Sequence, residues 1–293
     1  MSSDIDTALA EIKQLGVNLR NLEGLSHYFQ QHIPVIRDLI HSYQYQDLIK
    51  NHKNPLNRFG KKCFSQSDED GITLEIIRRM GIKDGFYIEY GVGNGMENNT
   101  LILAALGWRG VWVGGEDIVI PSKTSKFSYV KDWIKLDNII DLTSSGLVQT
   151  GFNPNVTDFD VISLDLDGND LYLVDRLLGN NFCPKLFIVE YNAKFPPPIK
   201  FQIEYNDNHT WKGNDYFGAS LSSYVDLFSK YGYTLVCCNA GSGGNAFFVR
   251  QDQMHLFADV PSDINDIYVE PRYVTIRSHG HAPSVEVVNS FFK

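Results

Sequence analysis

The chain has 293 residues, a formal charge of −9, 43% hydrophobic and 21% charged residues, a globular balance with room for one large domain and attachments. The acidic excess argues against a protein that grips nucleic acid by its phosphates, because that needs a basic surface. No run reaches the roughly 20 apolar residues of a membrane helix, and the opening MSSDIDTALAEIKQ is neither basic nor apolar like a signal peptide. A cytoplasmic protein with no membrane partner is therefore expected. Cys63, Cys183, Cys237 and Cys238 form no C-x-x-C pair. Cys237 and Cys238, adjacent on a strand, would point to opposite faces and read as reduced core thiols.

Residues 1–60 read as a helical segment. Ile5, Ile12 and Leu19 recur every seven residues, and Ala8, Leu15 and Leu22 repeat three positions later, which draws an apolar seam along a helix. Gly16 and the shortness of the run argue against a long coiled coil. The seam reads as packing on the chain's own domain, with a homo-oligomer contact as the alternative. Pro34 suits a first helical turn, so a second helix is expected from about His32 to Ile49. The polar joint NHKNPLNRFGKK then marks a boundary near residue 60.

From residue 61 to 252, short apolar strands alternate with helices. A helix over Asp70–Met80 precedes strand Phe86–Tyr90, a glycine turn and helix NTLILAALG. Strand Gly110–Gly115 follows, then a less legible stretch, strand Asp160–Asp165, helix LYLVDRLL and strand Leu186–Tyr191. A long polar-aromatic loop leads into helix SLSSYVDLFSKYG and the strands YTLVCCNA and NAFFVR. This order predicts a parallel sheet covered on both faces, ending in an antiparallel hairpin. Residues 253–293 read as an irregular tail.

The strongest signal is Glu89-Tyr90-Gly91-Val92-Gly93-Asn94-Gly95 at the end of a buried strand. Ligands of open α/β sheets sit beyond the carboxyl ends of the strands, where strand order reverses. A dinucleotide fingerprint is G-x-G-x-x-G; here the pattern is G-x-G-x-G, with Met96 at the place of the third glycine. Glu89 would attract a cationic amino-acid moiety and repel a pyrophosphate. The turn therefore suits S-adenosylmethionine better than NAD, the alternatives being another nucleotide or a tight turn without a ligand.

The strings FSQSDEDGI, FYIEYGVGNGMENNT, GWRGVWVGGED, FDVISLDLDGNDLYLV and LFIVEYNA together resemble the FkbM-type branch of the class I S-adenosylmethionine-dependent methyltransferases, over about Phe64 to Arg250. The resemblance implies a Rossmann-like seven-stranded, mostly parallel sheet with a C-terminal antiparallel hairpin. It also implies that Glu89, Gly91 and Gly93 line the methionine part of the cofactor, with Gln66 and Asn99 nearby. Relatives carry a ribose-binding acid directly after the second strand; this chain has Gly114 there, and Glu116 is the candidate two residues on. Adenine contacts are expected from Leu136-Asp137-Asn138, with Asp137 the named candidate.

Methyl transfer to a hydroxyl needs a partner that takes the proton, either a side-chain base or a divalent metal. Asp165 and Asp167 end one central strand, and Glu190 and Asn192 end the next. Asp165, Glu190 and Asn192 are the expected ligands of Mg2+ or Mn2+, with Asp167 in reserve and Asn169 or Asp170 as a helix cap. Asp165 is also a candidate cofactor contact. His209 is the candidate base if no metal is used, in a loop whose Tyr205, Trp211, Asp215 and Tyr216 suit a sugar or glycoside acceptor. His279 and His281 have a spacing compatible with metal ligation but also read as a flexible tail. Two other functions compete: a metal-dependent glycosyltransferase using Asp165-Leu166-Asp167, and a non-catalytic binding module of the same fold.

Overall fold

The structure is a computed structural model that describes residues 2–153, 158–272 and 285–292. His279 and His281 lie outside the described residues. The chain divides into two units, Met1–Asp47 and Leu48–Lys293. The first is helical throughout its described residues, belonging to helix α1 (Ser2–Asn51), which runs unbroken through Pro34, so the two helices expected on either side of that proline are one. Pro34 and Gln30 are both exposed. Water can therefore take the Gln30 carbonyl that a proline four residues later cannot serve.

In the second unit a 3-10 turn, Pro55–Phe59, is capped by Asn54, whose side chain accepts from Leu56 N and donates to the Val236 carbonyl at 2.6 Å. The elements that follow are α2 (Glu69–Arg79), β1 (Phe86–Tyr90), α3 (Leu101–Ala105), β2 (Arg109–Gly114), β3 (Phe127–Lys131) and α4 (Ile139–Gln149). Then come β4 (Val161–Leu164), α5 (Asp170–Gly179), β5 (Leu186–Glu190), α6 (Leu221–Lys230), β6 (Tyr233–Cys238) and β7 (Asn245–Arg250). The stretch read as an irregular tail holds a 3-10 turn at Gln251–Phe257 and short helices α7 (Ile264–Ile267) and α8 (Val285–Phe291).

Among the described residues, seven strands form one sheet in the order β3-β2-β1-β4-β5-β7-β6. The first five run parallel, and β7 is antiparallel to both β5 and β6. This is the expected class I methyltransferase sheet with its closing hairpin. Period-two alternation sorts the strands between two cores. Phe86, Ile88 and Tyr90 pack with Leu147, Val174 and Phe228 from α4, α5 and α6. Tyr87, Trp112 and Val161 pack with Ile72, Ile76 and Leu101 from α2 and α3. The adjacent thiols obey the same rule: Cys237 joins the second core and Cys238 the first, and both are free. No helix among the described residues is long and apolar enough to cross a membrane.

Candidate functional site

Strand order reverses between β1 and β4, and the glycine turn leaves β1 at that point. Gly91, Gly93 and Gly95 all have positive φ, a conformation that costs other residues energy. Gly91 N donates to the Val113 carbonyl at 3.0 Å, and Asp165 N to the Tyr90 carbonyl at 3.1 Å. These bonds draw the turn against the end of β4, so that a β-carbon on Gly91 would lie 1.6 Å from the Asp165 carbonyl oxygen. Gly93 has open space around it instead. Over this turn lies a cavity of about 250 Å3 lined by Gln66, Glu89, Gly91, Gly93, Asn99 and Asp165, together with Val92, Asn94, Glu97, Asp167 and Asn245. Six of the residues expected to meet the cofactor thus share one cavity. Its wall holds four carboxylates and no lysine or arginine.

Glu89 is buried, and its carboxylate accepts from Asn99 N at 2.9 Å, Thr100 N at 3.0 Å and the Thr100 hydroxyl at 2.5 Å. It satisfies the backbone N–H groups that lead into α3, which helix formation leaves without partners. Burial pushes its carboxyl up to about 7, against the opposing pull of those hydrogen bonds. A polar chain continues along the wall. Asn99 donates to Ser163 Oγ and to Asn245 Oδ1, and Asn245 donates to Glu69 Oε1 at 3.2 Å. Burial also raises Glu69 to about 7.

At the ends of β4 and β5 the ligand atoms of Asp165, Asp170 and Glu190 lie within 4.8 Å of one another. Asp170 is tied down by Leu166 N and Gly168 N, each at 2.8 Å, and burial raises it to about 6. Burial, then Asp167 and Asp170, push Asp165 well above the ordinary carboxylate range; burial, then Asp165, does the same to Glu190. Oε2 of Glu190 is buried without a hydrogen-bond partner. Carboxyls this close hold a proton or a cation between them. Asp170, read from the sequence as a helix cap, is the third acid of this group. Asn192 is oriented by other bonds: its amide donates to the Asp215 and Phe217 carbonyls, and its oxygen accepts from Lys194 N at 3.3 Å.

Glu116 and Asp137 are exposed and are not among the residues lining the cavity. His209 belongs to the long loop after β5. Its ring lies against Gly168, where a β-carbon would meet it at 2.6 Å, and its Nε2 is buried without a partner. It lines a second cavity of about 320 Å3 with Asn206, Asn208, Asn214 and Tyr216. Tyr205 anchors the loop by accepting from Leu136 N at 3.0 Å, which brings it to the segment expected to meet adenine. A larger cavity, about 380 Å3, lies between α5 and α6. Sequence reasoning missed Asn245 and Glu97. Asn245 carried a usable signal, a polar residue opening an otherwise apolar buried strand; Glu97 carried none.

No protein-family model matches the chain, and no curated protein sequence matches it. Solved structures align with the chain at low identity. The glycopeptide N-methyltransferase MtfA complexed with S-adenosyl-L-homocysteine is 12% identical, with a TM-score of 0.35, over 67% of this chain and 95% of that one. The Burkholderia thailandensis 1,6-didemethyltoxoflavin-N1-methyltransferase is 12% identical, with a TM-score of 0.37, over 75% and 88%. The methyltransferase domain of bacterial CtHen1-C is 10% identical, with a TM-score of 0.35, over 62% and 97%.

Proposed function

We propose that this chain is an S-adenosylmethionine-dependent methyltransferase of the FkbM type, transferring a methyl group to a hydroxyl of a sugar or sugar-bearing small molecule. The observation that carries the reading is the acidic cavity over the Glu89–Gly95 turn. Glu89, Asp165 and Asp167 complement a ligand bearing an ammonium and a sulfonium, and Lys62, which bonds Glu97 and the Gln66 carbonyl at the wall, is already paired. The same point weighs against a glycosyltransferase, although Asp165 and Asp167 both line the cavity.

In this reading Glu89, Asn99 and Asn245 hold the amino-acid end of the cofactor, and Gly93 lets it approach the backbone. The acceptor enters beside the loop carrying His209 and Tyr216. Its oxygen attacks the methyl carbon in line; the new C–O bond forms as the C–S bond breaks, and S-adenosylhomocysteine departs. The hydroxyl proton passes to Asp165, which lines the cavity over the turn, or to His209, which lines the second cavity. The oxygen donors Asp165, Asp170 and Glu190, within 4.8 Å of one another, suit a hard divalent cation. The orphaned Glu190 Oε2 is the observation that favours one. Magnesium or manganese bound there would supply a lowered hydroxyl pKa.

The test is incubation with S-adenosylmethionine labelled with carbon-13 at the methyl group and a panel of glycosides, read by NMR. A new methyl-ether resonance supports the proposal. Label appearing on nitrogen would contradict the acceptor class, and no transfer to any acceptor would contradict the activity.

A further inference from the structure

Helix α1 carries two apolar rows that stay exposed among the described residues, with Val17, Leu25, Tyr28, Val35 and Leu39 exposed outside them. One row is Ile12, Leu19, Ser26, Ile33 and Ile40, each seven residues from the last. The other is Leu15, Leu22, Phe29, Ile36 and Tyr43, three residues further on. The seven-residue repeat therefore extends well beyond the run legible at the N-terminus. Every apolar member of both rows is at least half exposed, from Ile40 at 50% to Tyr43 at 76%. The residues that disfavour a helix, Gly16, Gly24 and Pro34, all fall outside the two rows, where a packed seam tolerates them.

We infer that α1 pairs with α1 of a second copy of this chain as an antiparallel two-stranded coiled coil. Two features select this occupant. The nine exposed apolar side chains present on the order of 900 Å2 per helix, against about 800 Å2 per partner in stable complexes. The rows are also self-complementary when one copy is reversed, because positions whose numbers add to 55 then face each other. Leu22 meets Ile33, Leu19 meets Ile36, and the small Ser26 meets the large Phe29, so each layer has similar volume. A parallel pair would stack Ser26 on Ser26 and Phe29 on Phe29, leaving a gap beside a crowded layer. It would also bring His32 toward Arg37 across the flank, a pairing with no attraction.

The inference is independent of the reaction proposed above. Light scattering on the full chain should give twice the chain mass, and the double variant Leu22→Glu, Ile33→Glu should give a single chain's mass with unchanged helical circular dichroism. A wild-type monomer, or a variant that stays dimeric, would overturn it. Orientation is read in a Cys63→Ser background. Chains carrying Leu22→Cys mixed with chains carrying Ile33→Cys should form a disulfide on mild oxidation. Leu22→Cys alone should not, because at 1.5 Å rise per residue its copies lie about 16 Å apart along an antiparallel pair. Rapid cross-linking of Leu22→Cys with itself would overturn the antiparallel arrangement.

Discussion

The carbonyl oxygen of Asp165 stands 1.6 Å from where a β-carbon on Gly91 would be. The end of β4 and the turn after β1 are thus in contact at the floor of the cavity, and both partners at that contact are backbone. Gly91→Ala must push them apart as well as strain a residue at φ +88. It should destabilise the fold by about 2–4 kcal/mol, combining overpacking with left-handed strain, and should abolish binding of S-adenosylhomocysteine. Gly93→Ala meets no atom within 4 Å and should cost only about 1 kcal/mol from its positive φ. Urea unfolding of the two variants separates these outcomes; equal losses would contradict the contact.

Glu89 both closes the start of α3 and faces the ligand cavity. Glu89→Gln keeps one acceptor oxygen and the side-chain shape but removes the charge. Affinity for S-adenosylmethionine should fall by about 1.5–3 kcal/mol, the worth of a charge-assisted hydrogen bond. Equal affinity by equilibrium dialysis would remove Glu89 from the ligand's surroundings.

Burial raises Glu69 and Glu89 from an ordinary value of 4.5 to about 7, so the folded chain holds those protons more tightly than the unfolded chain. Their contribution is complete below about pH 4.5 and is lost as pH rises through 7. Asp252, lowered to about 2 by its bond with Arg250, acts in the opposite sense only in strong acid. Thermal unfolding of the free protein should therefore show stability falling from pH 5 to pH 7.5. A steady rise across that range would contradict the buried acids. A cationic ligand favours ionised Glu89, so its binding near pH 6.5 should release protons, measurable by calorimetry in buffers of different ionisation enthalpy.

If a cation sits at Asp165 and Glu190, EDTA should stop turnover and leave binding of S-adenosylhomocysteine nearly unchanged, since the cofactor wall is built mainly from β1 and its turn. Full activity in chelator would transfer proton removal to His209. The variant Glu190→Gln should then be close to wild type in rate.

Strand β1 was legible to the residue because five buried positions are framed by Lys83-Asp84-Gly85 and by the glycine turn. β3 was not: its burial fades to half-buried Val130 and exposed Lys131, whereas β6, at the other edge of the sheet, stays buried along its length apart from half-buried Thr234. Helix α3 was read too long, since the chain from Asn99 to Thr100 is held by the Glu89 carboxylate instead of by helical bonds. That contact spans ten residues and has no local signature. Asp165 and Glu190 could be placed together from strand alternation, whereas Asp170 joined them only because the tight turn after β4 folds its carboxylate back onto Leu166 and Gly168. Pro34 misled because its usual preference for a first turn outweighed, on paper, the water available to an exposed helix.

The central claim, that the acidic cavity over the β1 turn binds S-adenosylmethionine, is tested most directly by isothermal titration of the full chain with S-adenosylhomocysteine, run beside UDP with manganese. The account predicts saturable one-to-one binding of S-adenosylhomocysteine that Gly91→Ala removes, and no comparable heat from UDP. Binding of UDP with no detectable binding of S-adenosylhomocysteine would contradict it.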